Sequence, residues 1–593
     1  MAADRIPAAG ERRLHSERYK WVVLSNTTLG VLLATIDASI MLIAMPDIFR
    51  GIGLDPLLPG NSFYLLWMIL SFLIVSSVLV VSLGRLGDLY GRVRMYNLGF
   101  AVFTAGSLLL TVTWMHGRQA AVWLVVMRVV QGVGAAFLVA NSSAILTDAF
   151  PPNQRGLALG INNVAGISGS FIGLVVGGIL APIEWRLIFL VSVPIGLFGT
   201  VWAYLKLDDL GIRRKAPIDW LGNVTFAVGL ISLMIGITYG IEPHGHATMG
   251  WTSPAVIAEL ATGVGLLTTF LVIESRVANP MFRLPLFKIK AFTFGTLSTF
   301  LAAVGRGGLM FMLIIWLQGI WLPEHGYSFQ NTPLWAGIYI LPLTFGFLLA
   351  GPLSGILSDR YGARPFATGG MVGACVSFVL LLLLPVSFPY WEFALCLVLN
   401  GLSMGAFAAP NRAGVMNSLP PEHRGAGGGM NSTFQNSAQV LSIGIFFTLM
   451  IVGLSSALSS SLLHGLTRYG VPRAIAERAA HLPPVATLFS AFLGYNPVAH
   501  LVGAKTLAHL PAHDRAVLGG HEFFARLISP AFHSGLQTAF LFAIVACGVA
   551  AAASWARGER FVYSSESVGT GAAPGARREA RSDGSGQVAE LAD

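Results

Sequence analysis

Gly84-Arg85-Leu86-Gly87-Asp88-Leu89-Tyr90-Gly91-Arg92-Val93-Arg94 follows one long apolar run, and Gly355-Ile356-Leu357-Ser358-Asp359-Arg360-Tyr361-Gly362-Ala363-Arg364 follows another. The two strings place glycine and aspartate in the same register and start 271 residues apart. The chain therefore carries an internal repeat of nearly half its length. Glycines at a helix end permit a tight turn and close helix contact, and the aspartate can cap a helix start or pair with a neighbouring arginine. Such a charge pair at a helix seam can hold one conformation shut. Because the string recurs, an incidental positively flanked turn is the weaker explanation.

The sequence around these strings is built for lipid. Of 593 residues, 54% are hydrophobic and 11% charged, against roughly 25% charged in water-soluble chains. A helix needs about 20 mainly apolar residues to cross a bilayer core of about 30 Å. That rule predicts spans near 21–46, 62–83, 94–115, 120–146, 157–181, 187–207, 218–241, 253–275, 291–320, 333–357, 365–385, 391–412, 427–457 and 531–555. The expected fold class is all-α and integral to the membrane, with fourteen transmembrane helices. The first apolar run has no small-residue cleavage site and is too long for a signal-peptide core, so it reads as a retained helix. Cys375, Cys396 and Cys547 all fall inside apolar runs without metal-ligand spacing and read as small core residues.

A formal charge of +9 would suit a nucleic-acid binder, but the charges sit in short tracts between spans. The alternate short loops on one side, with both tails, hold 26 of the 37 Lys and Arg residues; the opposite short loops hold Arg50, Arg118 and Arg186. Basic loops stay cytoplasmic, which predicts cytoplasmic tails at 1–20 and 556–593 and an even number of spans. Residues 458–530 form a long outer connection, where the apolar patch Thr487–Leu493 suggests a structured hairpin or a membrane-lying element. From 564 onward Gly, Ser, Ala and charge without periodicity predict disorder.

The repeated string resembles the helix 2–3 signature of the major facilitator superfamily, GxLaDrxGrkxxl, with Gly84, Asp88, Gly91 and Arg92 in the first copy and Gly355, Asp359, Arg360 and Gly362 in the second. That resemblance implies two six-helix bundles, 21–207 and 291–555, that alternate access to a central cavity. Two extra spans within 208–290 make a 6+2+6 plan similar to the fourteen-helix drug:proton antiporter family. The strings Ile36-Asp37-Ala38-Ser39, Arg128-Val129-Val130-Gln131-Gly132 and Trp185-Arg186-Leu187-Ile188-Phe189 resemble that branch too. Gly169, Gly173, Gly177 and Gly178 bare one face of the fifth span, where the family has its antiporter signature gxxxGPxxGG; Leu174 stands where the signature has proline.

A charge inside a bilayer is costly and functional by default. Asp37 lies about 25 Å from the inner face, Arg128 about 12 Å from the outer face, and Arg306 about 22 Å from inside, by helical rise from the span ends. All three therefore reach a comparable depth. Desolvation raises a carboxylate's pKa and a nearby guanidinium lowers it, so moving Arg128 against Asp37 would switch proton affinity; Arg306 is a further candidate partner. The family gives the positions of Asp37 and Arg128 this coupling role. The alternative is a static ion pair that only orders helices. Asn431, Gln435, Gln439 and Ser442 form a polar stripe on the thirteenth span and, with Gln318, are candidate substrate contacts. Met310, Phe311, Met312, Trp316 and Trp321 suit either a hydrophobic ligand or the membrane surface.

None of the six lysines follows a glycine, so the phosphate-cradling GxxxxGK[ST] loop is absent and ATP-driven transport by this chain is excluded. His521-Glu522-Phe523-Phe524-Ala525 lacks the second histidine of a zinc-protease helix, and Gly401-Leu402-Ser403-Met404-Gly405 lies mid-span with no strand before it. The expectation is a monomeric, cell-membrane secondary transporter, a proton-coupled exporter of amphipathic drugs, with small-molecule substrate and protons as partners and no cofactor, metal, ATP or nucleic acid. A dedicated metabolite exporter or an importer is the alternative. An intramembrane enzyme is remote, because only Asp37 is a deep acid and acid-pair chemistry needs two.

Overall fold

The computed structural model describes residues 17–558, apart from 56–57, 59, 152–153, 210–218, 243, 245–248, 279, 281, 421–423 and 499–501. Of the tails predicted at 1–20 and 556–593, residues 1–16 and 559–593 lie outside the described residues. Fourteen described helices are long and apolar enough to cross a membrane, matching the expected count. They are α1 (Glu17–Ile52), α2 (Asn61–Tyr90), α3 (Arg92–Thr111), α4 (Gly117–Ala149), α5 (Arg155–Leu180), α6 (Leu187–Lys206), α7 (Trp220–Ile241) and α8 (Pro254–Arg276). The second half holds α9 (Lys290–Glu324), α10 (Thr332–Tyr361), α11 (Ala363–Leu383), α12 (Tyr390–Asn417), α13 (Arg424–Arg468) and α14 (His521–Ala556).

Packing repeats as the sequence does. In the first bundle α1 lies on α5, α2 and α3 on α4, and α3 on α6; in the second, α9 lies on α13, α10 and α11 on α12, and α11 on α14. The bundles meet along α5–α10 and α2–α13, and the extra pair α7–α8 touches both α2 and α13. Glycine ridges allow these approaches. A Cβ on Gly263 of α8 would lie 2.8 Å from the Leu233 nitrogen of α7, which leaves no room for any other residue.

Both motif copies make the same turn. α2 passes to α3 through Gly91 at φ 110°, and α10 passes to α11 through Gly362 at φ 87°, a region L side chains avoid. Asp88 is inside the last turn of α2, so it caps no helix start; the turn itself is made by Gly91.

The longest departures from the predicted bounds are at the second half's ends. α13 runs on to Arg468 and α14 begins at His521, both well beyond the bilayer lengths expected, because the 458–530 segment folds against them. Among the described residues four short helices lie in that segment, and one of them, Pro484–Phe492, is buried at every residue. It packs on α2, α9, α13 and α14, with Phe489 stacked on Phe447 at 5.2 Å. The patch expected to form a hairpin or lie on the membrane is instead a buried plug helix.

α9 is also not the uninterrupted helix expected. Its α-helix stops at Arg306, resumes at Leu309 and widens to a π-helical turn over Trp316–Trp321. Ser442 of α13 bridges the break, donating to the Val304 carbonyl at 2.5 Å and accepting from the Gly308 N–H at 2.9 Å. A buried backbone group left without a partner is costly, so a hydroxyl at this position makes the break tolerable.

Candidate proton-coupling site

Asp37 and Arg128 reach each other from α1 and α4, and both are sealed from solvent. Arg128 Nη1 donates to Asp37 Oδ2 and, at 2.8 Å, to Gln131 Oε1; its Nε donates to the Met68 carbonyl of α2 at 3.2 Å. The guanidinium stacks 4.3 Å from the centre of the Phe72 ring. Gln131 Nε2 donates to Asp37 Oδ1 at 2.9 Å and to Ser107 Oγ of α3 at 2.8 Å. Both carboxylate oxygens are therefore held by α4, whose Arg128 and Gln131 are in turn held by α2 and α3.

Gln131 and Ser107 were not among the expected site residues. Gln131 sits three residues after Arg128 on the same helical face, which is the sequence signal that could have found it. Ser107 is distant in sequence and was out of reach. Burial of an ion pair is tolerated when its remaining hydrogen bonds are met, and here they are. In this conformation the acid faces neither lipid nor water, so proton exchange at Asp37 requires another arrangement of α1 and α4.

The glycine face of α5 is what lets α1 sit so close. A Cβ would lie 3.0 Å from the Leu32 carbonyl at Gly169, 2.5 Å from the Ile36 carbonyl at Gly173, and 2.5 Å from Ile43 at Gly177. Gly178 faces the other bundle, 2.6 Å from the Leu334 Cα of α10 by the same measure. Leu174, in the place of the signature's proline, is buried, its carbonyl facing Gly337 of α10, and α5 runs through it unbroken.

Arg306 does not join this site. Its guanidinium lies 5.8 Å from the Phe347 ring of α10, and among the described residues it makes no ion pair. Of the candidate substrate contacts, Gln435 and Gln439 are exposed on α13, whereas Gln318 and Asn431 are buried. Gln318 Nε2 reaches across the halves to the Ile43 carbonyl at 3.2 Å, so it closes the seam and lines no open chamber here. Trp316 and Trp321 are likewise buried, packed on Phe388, and not at a membrane surface. A cross-bundle contact the sequence reading missed is Arg412 of α12, donating to Asn163 of α5 at 3.0 Å; both side chains are exposed.

In the first motif copy, Arg92 pairs with Asp88 at 2.7 Å and with Asp148 of α4 at 2.7 Å, and its backbone N–H donates to Asp209 beyond α6 at 3.2 Å. These contacts tie α2, α3, α4 and the end of α6 inside one bundle, so the pair works within a half and not across the halves. In the second copy Arg360 is exposed over Tyr361 at 5.6 Å, and the Asp359 side chain lies outside the described residues.

Two repeated six-helix bundles, the first of which holds a buried acid–guanidinium pair, are the architecture of a membrane transporter. The chain belongs to the Major Facilitator Superfamily, whose family model matches residues 27–443 and again 295–556. It is 28% identical to the multidrug resistance protein Stp of Mycobacterium tuberculosis, over 91% of this chain and 92% of that one. It is 29% identical to the riboflavin transporter RibZ of Clostridioides difficile, over 72% of this chain and 88% of that one. In structure it is similar to a bacterial homologue of the human lysosomal transporter Spinster, with a TM-score of 0.53 at 16% identity, covering 93% of this chain and all of that one.

Proposed function

We propose that this transporter exports amphipathic drugs in exchange for protons, with Asp37 as the proton carrier and Arg128 as the charge that tunes it. The observation that carries this reading is the Arg128–Asp37–Gln131 network. Both oxygens of the carboxylate are held by Arg128 and Gln131, so withdrawal of Arg128 would leave one of them without its partner. Protonation frees α1 from α4, and because the α5 glycine face fits α1 so tightly, α5 and its contact with α10 move with it. The Stp relationship over nearly the full chain supports drug export. The RibZ relationship, with leucine in place of the signature's proline, favours a dedicated metabolite carrier as the second reading.

The excess of Lys and Arg on one side supports a cytoplasmic motif face, both termini in the cytoplasm and a cell-membrane location. The division into bundles at 21–207 and 291–555, with the 208–290 pair between them, then gives the two bodies that rock. Motif glycines and the Asp88–Arg92 pair keep the first body rigid at its cytoplasmic end, and Gln435 and Gln439 face the substrate. Efflux of a fluorescent lipophilic cation from cells expressing the chain is expected to stop when an uncoupler collapses the proton gradient. Efflux that survives the uncoupler would overturn the coupling, and absence of dye efflux with intact riboflavin flux would favour the second reading.

A further inference from the structure

The extra helices take no part in the Asp37 site, yet their motif-face ends bring two buried acids together. Asp219 stands just ahead of α7 and is 7% exposed; its Oδ1 accepts from the Gly222 N–H at 2.8 Å. Glu274, in the last turn of α8 and 3% exposed, accepts from the Phe282 N–H at 2.7 Å through Oε2. Each carboxyl group thus has one oxygen occupied by a backbone donor. The other two, Asp219 Oδ2 and Glu274 Oε1, are buried without a donor among the described residues.

Those two oxygens converge. A Cβ built on Gly222 would lie 2.5 Å from Asp219 Oδ2 and 2.7 Å from Glu274 Oε1. The two oxygens are therefore no more than about 5.2 Å apart, and Glu274 has Asp219 as a side-chain hydrogen-bond partner. Two buried carboxylates that share a site disfavour double ionisation, which favours a proton between them. The charged groups acting on Glu274 are Asp219 and Arg85 of α2. Arg85 also feels Asp88 of its own helix and Arg283 of the α8–α9 connector, and it donates to the Pro280 carbonyl of that connector.

The position of the pair gives it leverage on both bundles. Ser82 of α2 donates to Asn223, one turn into α7. Phe282, whose N–H is held by Glu274, packs its ring on Phe270 of α8 at 5.3 Å and on Phe434 of α13 at 5.3 Å.

We propose that Asp219 and Glu274 hold one proton between them, a second proton-binding site that fastens α7 and α8 to α2 and, through Phe282, to α13. Losing that proton sets two carboxylates against each other, with Arg85 the one guanidinium acting on Glu274 among the described residues, and separates the helix ends. Occupancy by protons from the motif-side water would therefore govern how freely the bundles rock, independently of Asp37. Only the flux consequence rests on the proposed transport function.

The test is an infrared pH titration of the purified full chain. A protonated-carboxyl band that titrates in the native protein is expected to vanish in both Glu274→Gln and Asp219→Asn and to persist in Asp37→Asn. Glutamine keeps an acceptor for Phe282, and asparagine keeps the helix cap, so both variants should fold. A native spectrum whose titrating band survives in both variants overturns the proposal. In vesicles, transport by the native chain should fall several-fold as motif-side pH is raised, while Glu274→Gln stays flat; parallel profiles overturn the latch. If no substrate is carried, the infrared result still decides the shared proton.

Discussion

In the first bundle the membrane's interior holds an acid with its partners: Asp37, Arg128, Gln131 and Ser107 satisfy one another across three helices. At the corresponding depth of the second bundle, Arg306 has only the Phe347 ring, and no carboxylate pairs with it among the described residues. The difference recurs at the motif face, where Arg92 joins Asp88 and Asp148 while the same register of the second copy holds Ala363, which carries no charge. It recurs in the helices that carry the charge. α1 crosses unbroken, and α9 breaks after Arg306 and relies on Ser442. One repeat has been kept as a frame twice and as a buried ion-pair network once. On the proposed function, coupling falls to the first bundle.

The largest expected effect tests that division. Asp37→Asn should abolish proton-driven flux in reconstituted vesicles while leaving the amount of folded, inserted protein unchanged, because asparagine can still accept from Arg128. Arg306→Gln should change the rate or the range of substrates and leave the dependence on the pH gradient intact. Undiminished gradient-driven flux in Asp37→Asn, or loss of gradient dependence in Arg306→Gln, would break the comparison.

Next in size is the fit of α1 on α5. Gly173→Ala would place a methyl 2.5 Å from the Ile36 carbonyl, a backbone atom with nowhere to go. Overpacking of this kind costs about 1–3 kcal/mol, and thermal unfolding in detergent should show it as a lower midpoint. On α13, which packs on α9 as α5 does on α1, Gly429 has nothing within 4 Å of its Cβ position. Gly429→Ala should be neutral or stabilise by up to about 1 kcal/mol, since alanine is the better helix former. Equal losses in the two variants would mean that the second bundle is packed as tightly as the first.

Which of these features were legible in the sequence follows from their physics. Fourteen spans, the repeat and the Asp37–Arg128 pairing rest on local composition and helical rise, and a bilayer converts both into depth. Ser107, Asn163 and the plug helix at Pro484–Phe492 depend on which helices become neighbours, and periodicity carries no such information. Gln318 and Asn431 were expected at a cavity because amides avoid lipid, but a seam between helices satisfies that requirement equally well. Trp316 and Trp321 were ambiguous for the same reason: an aromatic near a span end suits a belt or a core, and here Phe388 takes both.

Ser442 offers a smaller and sharper test. Its hydroxyl meets one carbonyl and one N–H that the break in α9 leaves without helical partners. Ser442→Ala removes both bonds at a site with no exposure, so about 1–3 kcal/mol of stability should go. Threonine at 442 should restore most of it and alanine none, as read by thermal unfolding. No loss in Ser442→Ala would show that the break is carried by α9 alone.

The smallest effect expected is at the motif face, and it bears on why one copy kept its arginine network. Arg92 has 23% of its side chain exposed, with Asp88 at 39% and Asp148 at 25%, so its pairs are partly screened. Arg92→Ala should therefore cost about 1 kcal/mol, and more at low salt than at high. Arg360→Ala should cost nothing measurable, since an exposed side chain over a neighbouring ring orders little. The decisive quantity is the salt dependence of the difference between the two variants. Ion pairs that tie α2, α3 and α4 must weaken as salt rises, whereas a purely steric role for Arg92 would leave the gap constant. A gap that shrinks with salt locates the electrostatic clasp at the motif-face end of the first bundle.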